Sequence, residues 1–299
     1  MKKTIFAICF LTVSASLCFA KMLILKTEGA ASHEFVVRGI AQGCKENSFI
    51  IDLKKDLSNN EKAKEQVKNI QAEMYIVLGD EAASFATENL KDKIVLYSMI
   101  PEPGKYNFNK SKSFGLDILI SIDQLFSYLK SIENNIKTAG LLYGINENAI
   151  MAQYASKIAS KEGITLIPRG LENEQDIKTA INELLPQVDI IIMMPSIVTT
   201  KPEVIQFVAQ ESLKNNIAVV GLAEIFLQYG ALFTVSINPI IIGRALGESA
   251  CYIAKGKDIS HIKVTNPAYS IISLNLRVAE LLKIKIPDKI VEKAYKTIK

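Results

Sequence analysis

The chain has 299 residues, more than one hydrophobic core usually serves, which predicts two lobes. Lysine and arginine number 35 against 31 aspartates and glutamates, a formal net charge of +4, with the two signs interspersed and no arginine stripe. That distribution argues against nucleic acid as a partner.

Lys2 and Lys3 precede an apolar run over 4–16, and Cys18-Phe19-Ala20 offers small residues at the two positions a signal peptidase reads. Residues 1–20 are therefore expected to be a signal peptide cleaved after Ala20, placing the remainder outside the cytoplasmic membrane, in the periplasm or an equivalent space. The run is shorter than the roughly 20 residues of a bilayer span. Bulky Leu17 before Cys18 argues against lipidation.

From Lys21 the pattern alternates. A strand over 22–25 is followed by a helix over 33–44, with Ser32 as its cap and Phe35, Val36, Ile40 and Ala41 on its apolar face. A strand over 49–53, a charged helix over 60–70 and a strand over 74–78 turned by Gly79 come next. A helix over 81–90 leads to a strand over 94–99, stopped by Pro101-Glu102-Pro103. The second series begins near Gly115 with a helix over 121–133, whose Ile122, Leu125, Phe126 and Leu129 share a face. Strands over 138–143, 164–168, 189–194, 217–221 and 232–237 then alternate with helices over 149–162, 174–185, 202–215 and a short piece over 226–230. A helix over 241–254, a strand over 270–274, a short helix, the turn 283–287 and a last amphipathic helix complete the chain. Continuous apolar strands alternating with amphipathic helices mean parallel sheets covered on both faces. Two such series make an α/β protein of two doubly wound parallel-sheet lobes, joined by right-handed crossovers.

Catalytic and metal patterns are missing. His33 and His261 are far apart and not at metal-ligand spacing, no G-x-S-x-G elbow occurs, and Leu78-Gly79-Asp80-Glu81 lacks the Walker lysine. No enzyme activity, metal or cofactor is expected. In open parallel sheets a ligand binds outside the carboxyl ends of the strands. On the first lobe those positions are Thr27, Glu28 and Ser32, then Gly79, Asp80 and Glu81, then Ser98 and Met99. On the second lobe they are Tyr143 and Asn146, then Pro195, Ser196 and Thr199, then Ala223 and Glu224, with Asn238 where the chain re-enters the first lobe. The helix N-termini at these edges suit an anionic group such as a carboxylate. Simpler roles compete: Ser32 and Thr199 serve equally as helix caps, and Asp80 and Glu81 as partners of a helix dipole.

The order and spacing of several segments resemble one family. They are Leu274-Asn275-Leu276 with Ala279, Ile284-Lys285-Ile286-Pro287 and Ala294; Ala139-Gly140-Leu141-Leu142-Tyr143 with Asn146; Val188-Asp189-Ile190; Gly230-Ala231-Leu232; and Gly243-Arg244-Ala245 with Lys255-Gly256-Lys257. The family is that of ABC-transporter substrate-binding proteins, which includes binding proteins for tryptophan and other aromatic amino acids. The resemblance implies a type I periplasmic-binding-protein fold with a cleft between the lobes and three crossings, near Gly115, Thr234 and Val264. It assigns 21–115 plus 235–264 to the N-terminal lobe and 116–234 plus 265–299 to the C-terminal lobe. It also brings Cys44 and Cys251 into one lobe, where a disulfide and two buried free thiols are both open readings. The function implied is capture of a small molecule, such as an amino acid or related carboxylate, by hinge closure of a monomer that then docks on an ABC permease in the inner membrane. A sensor presenting its closed form to a membrane receptor would have the same fold. The chain departs from the family at two places. Where relatives carry "TDP" and "qDN" it has Ser98-Met99-Ile100-Pro101 and Pro195-Ser196-Ile197, so both aspartates suited to an ammonium group are missing. Glu28, Glu81, Glu102 and Glu224 are the candidate replacements, and Met99, Tyr143 and Phe226 a candidate apolar wall.

Overall fold

The computed structural model describes residues 18–29, 31–54, 61–100, 103–116, 120–257 and 270–299. The first series is β1 (Cys18–Thr27), α1 (Ala31–Gly43), β2 (Ser48–Leu53), α2 (Glu61–Asn69), β3 (Ile70–Leu78), α3 (Asp80–Asn89), β4 (Ile94–Ser98) and β5 (Ser113–Gly115). The second runs α4 (Ile120–Ile132), β6 (Thr138–Gly144), α5 (Ile145–Lys161), β7 (Thr165–Leu171), α6 (Asp176–Leu184), β8 (Ile190–Met193), α7 (Pro202–Lys214), β9 (Ala218–Gly221), α8 (Ile225–Gln228) and β10 (Phe233–Ile237). The chain ends with α9 (Pro239–Ala254), β11 (Ser270–Asn275), α10 (Leu276–Leu281), α11 (Asp288–Lys293) and β12 (Lys296–Ile298).

Two sheets result, one in the order β2-β1-β3-β4-β5 and the other β12-β11-β10-β9-β8-β6-β7. All pairings are parallel except β10 with β11, which is antiparallel. Each sheet is buried on both faces because its strands are apolar at consecutive positions. In β1, Met22 and Ile24 meet Val36 and Ile40 of α1 and Ile242 and Leu246 of α9, while Leu23 and Leu25 meet Val67 of α2 and Phe85 of α3. In the second sheet, α4, α5, α10 and α11 cover one face, and α6, α7 and α8 the other. The chain passes between sheets after β5, between β10 and α9, and between α9 and β11.

The second passage differs from the sequence expectation. Strand β10 stays in the seven-stranded sheet through Ile237, held by β9 and by a full antiparallel register with β11. Residues 235–237, expected in the N-terminal lobe, therefore belong to the second sheet, and the crossing falls at Asn238-Pro239. The other expected boundary, near Val264, lies outside the described residues, as do residues 1–17 of the expected signal peptide. Cys18–Ala20 pair with Ile70–Ala72, so cleavage after Ala20 would shorten β1 to its segment from Lys21 onward. Strands β5 and β12, three residues each, were not anticipated. Among the described residues no helix is long and apolar enough to cross a membrane.

Helix α9 returns to the first lobe through an unusually close contact with α1. A Cβ on Gly243 would lie 2.0 Å from the Val36 carbonyl oxygen, and one on Gly39 would lie 2.2 Å from that of Ile240. Gly43 and Gly247 are equally crowded, against the carbonyls of Arg244 and Ile40. Only glycine lets two backbones approach this far. Beyond the glycines, Cys44 and Cys251 are joined by a disulfide, with their Cα atoms 5.6 Å apart.

Overpacking this backbone contact should be costly. Gly243→Ala is expected to lower stability by about 3 kcal/mol, read as a lower urea midpoint at unchanged slope. Gly104→Ala, where a Cβ meets nothing within 4 Å, serves as the control and should leave the midpoint in place. Equal midpoints for the two variants would show that the helices can part freely.

Candidate functional site

At the carboxyl edge of the first sheet, the ends of β1 and β3 and the starts of α1 and α3 converge. Gly79 takes φ 89°, and a Cβ there would lie 2.6 Å from Thr27 Oγ1 and 2.7 Å from His33 Cε1, so the turn needs glycine. Buried Thr27 donates its hydroxyl to Glu81 Oε2 at 2.7 Å. His33 Nδ1 lies 3.3 Å from the Thr27 carbonyl oxygen. Burial, aided by nearby Lys26, lowers the His33 pKa from its ordinary value, against the opposing pull of the Thr27 carbonyl, Glu81 and Glu34. The ring is therefore neutral at neutral pH. Burial works against the charge on Lys26, but bonds to Asp52 and Glu34 outweigh it and raise its pKa. Asp80 accepts a hydrogen bond from the Tyr106 hydroxyl at 2.6 Å. Ser98 donates to the Leu116 carbonyl at 3.0 Å. Met99, immediately after β4, takes φ 59°, a backbone state that costs a residue with a side chain about 1–2 kcal/mol.

The carboxyl edge of the second sheet carries half-buried Tyr143, exposed Asn146 in the first turn of α5, and half-buried Pro195. Ser196 and Thr199 form a closed turn. The Ser196 backbone N–H donates to Thr199 Oγ1 at 2.8 Å, and that hydroxyl donates to the Met194 carbonyl at 2.5 Å. Glu147 leans over the same turn and accepts from the Ile197 N–H at 3.2 Å. At the crossing, a groove of about 490 Å³ is lined by α1 and α9 through Phe35 and Ile240, by Asn238, and by Ala223, Glu224 and Tyr295 from the second sheet's side. Glu224 is paired with Lys296 at 3.0 Å. Asn238 accepts from the N–H groups of Ile240 and Ile241 and so caps α9.

The profile of the ABC transporter substrate binding protein family matches residues 31–298. The chain belongs to that family. Its fold is similar to that of a substrate binding protein with adhesive properties from Clostridium difficile, solved ligand-free and open: 18% identity, TM-score 0.75, covering 94% of this chain and 100% of that one. It is likewise similar to an ABC domain from Streptococcus pneumonia solved in complex with L-Trp: 20% identity, TM-score 0.62, covering 93% and 100%. A conserved domain protein from Vibrio cholerae is 19% identical with TM-score 0.63, covering 94% and 99%. At these identities the likeness is one of fold. No curated protein sequence matches the chain.

Family membership gives this chain a solute-binding role and directs attention to the two carboxyl edges. The structure sorts the sequence-derived candidates into three groups. Thr27, Gly79 and Glu81 form one connected cluster around His33. Ala223, Glu224 and Asn238 share the groove at the crossing. Tyr143, Asn146, Pro195 and Ser196 stand on the second sheet's edge, and Glu28, Asp80, Ser98 and Met99 on the first. Thr199 is 0% exposed and holds its own turn together, so it reaches no solute; nor does it cap α7, whose N-cap is Lys201. Ser32 lies inside the first turn of α1, which begins two residues earlier than a Ser32 cap requires. Phe226, expected in an apolar wall, is 0% exposed and packs on Gly221 in the second core. Phe35, expected on the core face of α1, is 44% exposed in the groove. Glu102 lies outside the described residues. Sequence reasoning did not single out His33, Glu147 or Tyr295 for the site. His33 sits in the helix that the strand-end rule points to, but Tyr295 follows a helix that the rule does not reach. Among the described residues no group of three or more His, Cys, Asp or Glu side chains could hold a metal ion.

The buried neutral His33 makes stability depend on pH. Its folded pKa is lowered, so the unfolded chain binds the extra proton first, and its contribution is present above the ordinary value near 6.5 and lost as pH falls below it. Chemical denaturation at pH 7.5 and 5.0 should show a drop in stability that His33→Asn reduces. An identical drop in the variant would assign the effect to other groups.

Proposed function

We propose that the protein is the extracytoplasmic solute-binding component of an ABC importer. A small solute bridges the carboxyl edges of the two sheets, favours the closed arrangement of the lobes through contacts it makes with both, and the closed form docks on a membrane permease. Thr27, Glu81, Met99, Tyr143, Ser196 and Glu224 are the residues we assign to the solute, with Phe35 and Tyr295 flanking it. The observation that carries this reading is the family match over residues 31–298 on a chain that passes three times between two parallel-dominated sheets. The passage at Asn238-Pro239, directly between β10 and α9, is short enough to act as a hinge. The groove at the crossing supports it further, because its walls come from both lobes.

Small-angle scattering tests the closure. Protein carrying its retained solute should have a smaller radius of gyration than the same protein after solute is stripped by unfolding and refolding. Tight binding with an unchanged radius would count against closure.

A further inference from the structure

At the amino ends of the second sheet's strands, opposite the candidate solute edge, lies a cavity of about 290 Å³. Asp189, Asn216 and Leu232 line it, each within two residues of the start of a strand, β8, β9 or β10. Its floor is apolar. Leu129 and Ile132 from the last turn of α4 join Ile190, Ala218 and Phe233 from the strands, and all five are buried. Half-buried Leu282 and Ile284, just beyond α10, extend the apolar lining. The rim is polar: exposed Asn135, Asp189 and Asn216, with half-buried Glu133.

That rim carries one sign of charge. Among the described residues no lysine or arginine lines the cavity, and none forms an ion pair with Glu133 or Asp189. Asp189 Oδ2 accepts from the Lys137 and Thr138 N–H groups at 2.8 Å each, while its Oδ1 has no described partner. Glu133 directly follows α4, where the negative end of the helix dipole disfavours a carboxylate. Helix α7 also ends beside the rim, two residues before Asn216, and adds a second negative helix end. We propose that this cavity is a second small-molecule site, separate from the solute cleft, and that its ligand is a small apolar amine. The apolar body covers the floor and the protonated nitrogen faces Glu133 and Asp189, where it supplies the positive charge that the chain does not. The volume is at the lower end of the range for small-molecule sites, about 300–1,000 Å³, so a single ring or a short alkyl chain fills it. An anionic ligand would meet like charge from the rim carboxylates and both helix ends.

The test titrates the wild type, Glu133→Gln, Glu133→Lys and Ala218→Leu with phenethylamine, phenethyl alcohol and phenylacetate, followed through backbone amide signals in NMR. The wild type should bind phenethylamine saturably, with a dissociation constant of about 1 mM or below. Phenethyl alcohol should bind more weakly, and phenylacetate not at all. Glu133→Gln should weaken the amine about two- to fivefold and leave the alcohol unchanged. Glu133→Lys should remove the amine's advantage over the alcohol. Ala218→Leu fills the floor and should abolish binding of both. If that variant fails to fold, the two Glu133 variants decide. No saturable binding by the wild type, equal affinity for the amine in wild type and Glu133→Lys, or phenylacetate binding as tightly as the amine overturns the inference. Each of these results leaves the solute-binding reading standing, because Glu133 is at the other end of the strands from that cleft.

Discussion

The backbone contact between α1 and α9 is the constraint on which the rest depends. Four glycines, Gly39 and Gly43 facing Gly243 and Gly247, remove every side chain that would hold the two helices apart. The chain has by then completed β10 in the second sheet, and nothing in strand pairing obliges it to return. What brings it back is the face of α9, where Ile242 and Leu246 enter the core formed by Met22, Ile24, Val36 and Ile40. Asn238 and Pro239 start the helix at the crossing, and the Cys44–Cys251 bridge closes the far end. The same pair of helices walls one side of the groove, through Phe35 of α1 and Ile240 of α9.

Electrostatics at the strand ends follow from which charges the fold satisfies internally. Lys26 is buried and engaged by two carboxylates, Asp189 accepts from the Lys137 and Thr138 N–H groups, and Glu224 has Lys296. Among the described residues Glu81 is held by the Thr27 hydroxyl and Glu147 by the Ile197 N–H, one on each sheet's edge.

The fold was largely legible because its core strands are continuously apolar. Met22–Leu25, Met74–Leu78 and Ile190–Met193 have no polar position and admit only a sheet buried on both faces. Strands β5 and β12 escaped notice because three residues carry no period, and because they pair at sheet edges where sequence need not be apolar. The lobe boundary expected at 234/235 falls inside β10, because the antiparallel register of β10 with β11 is a long-range pairing that local pattern does not encode. The strand-end rule selects residues at the carboxyl edges of the two sheets but does not give the roles that packing assigns them. Thr199 and Phe226 were inward-turned by a local hydrogen-bond closure and by core packing, whereas Phe35 was turned outward because α9, arriving some 200 residues later, covers the neighbouring face of α1 instead. The Thr27–Glu81 bond links residues 54 apart and was visible only as two separate candidates.

A crystal structure of the protein with its retained solute measures the central claim directly. The account predicts density between the two sheets' carboxyl edges, in contact with Glu81 on one side and with Tyr143 or Ser196 on the other. Density confined to one lobe, or lying at the amino ends of the strands, would contradict it.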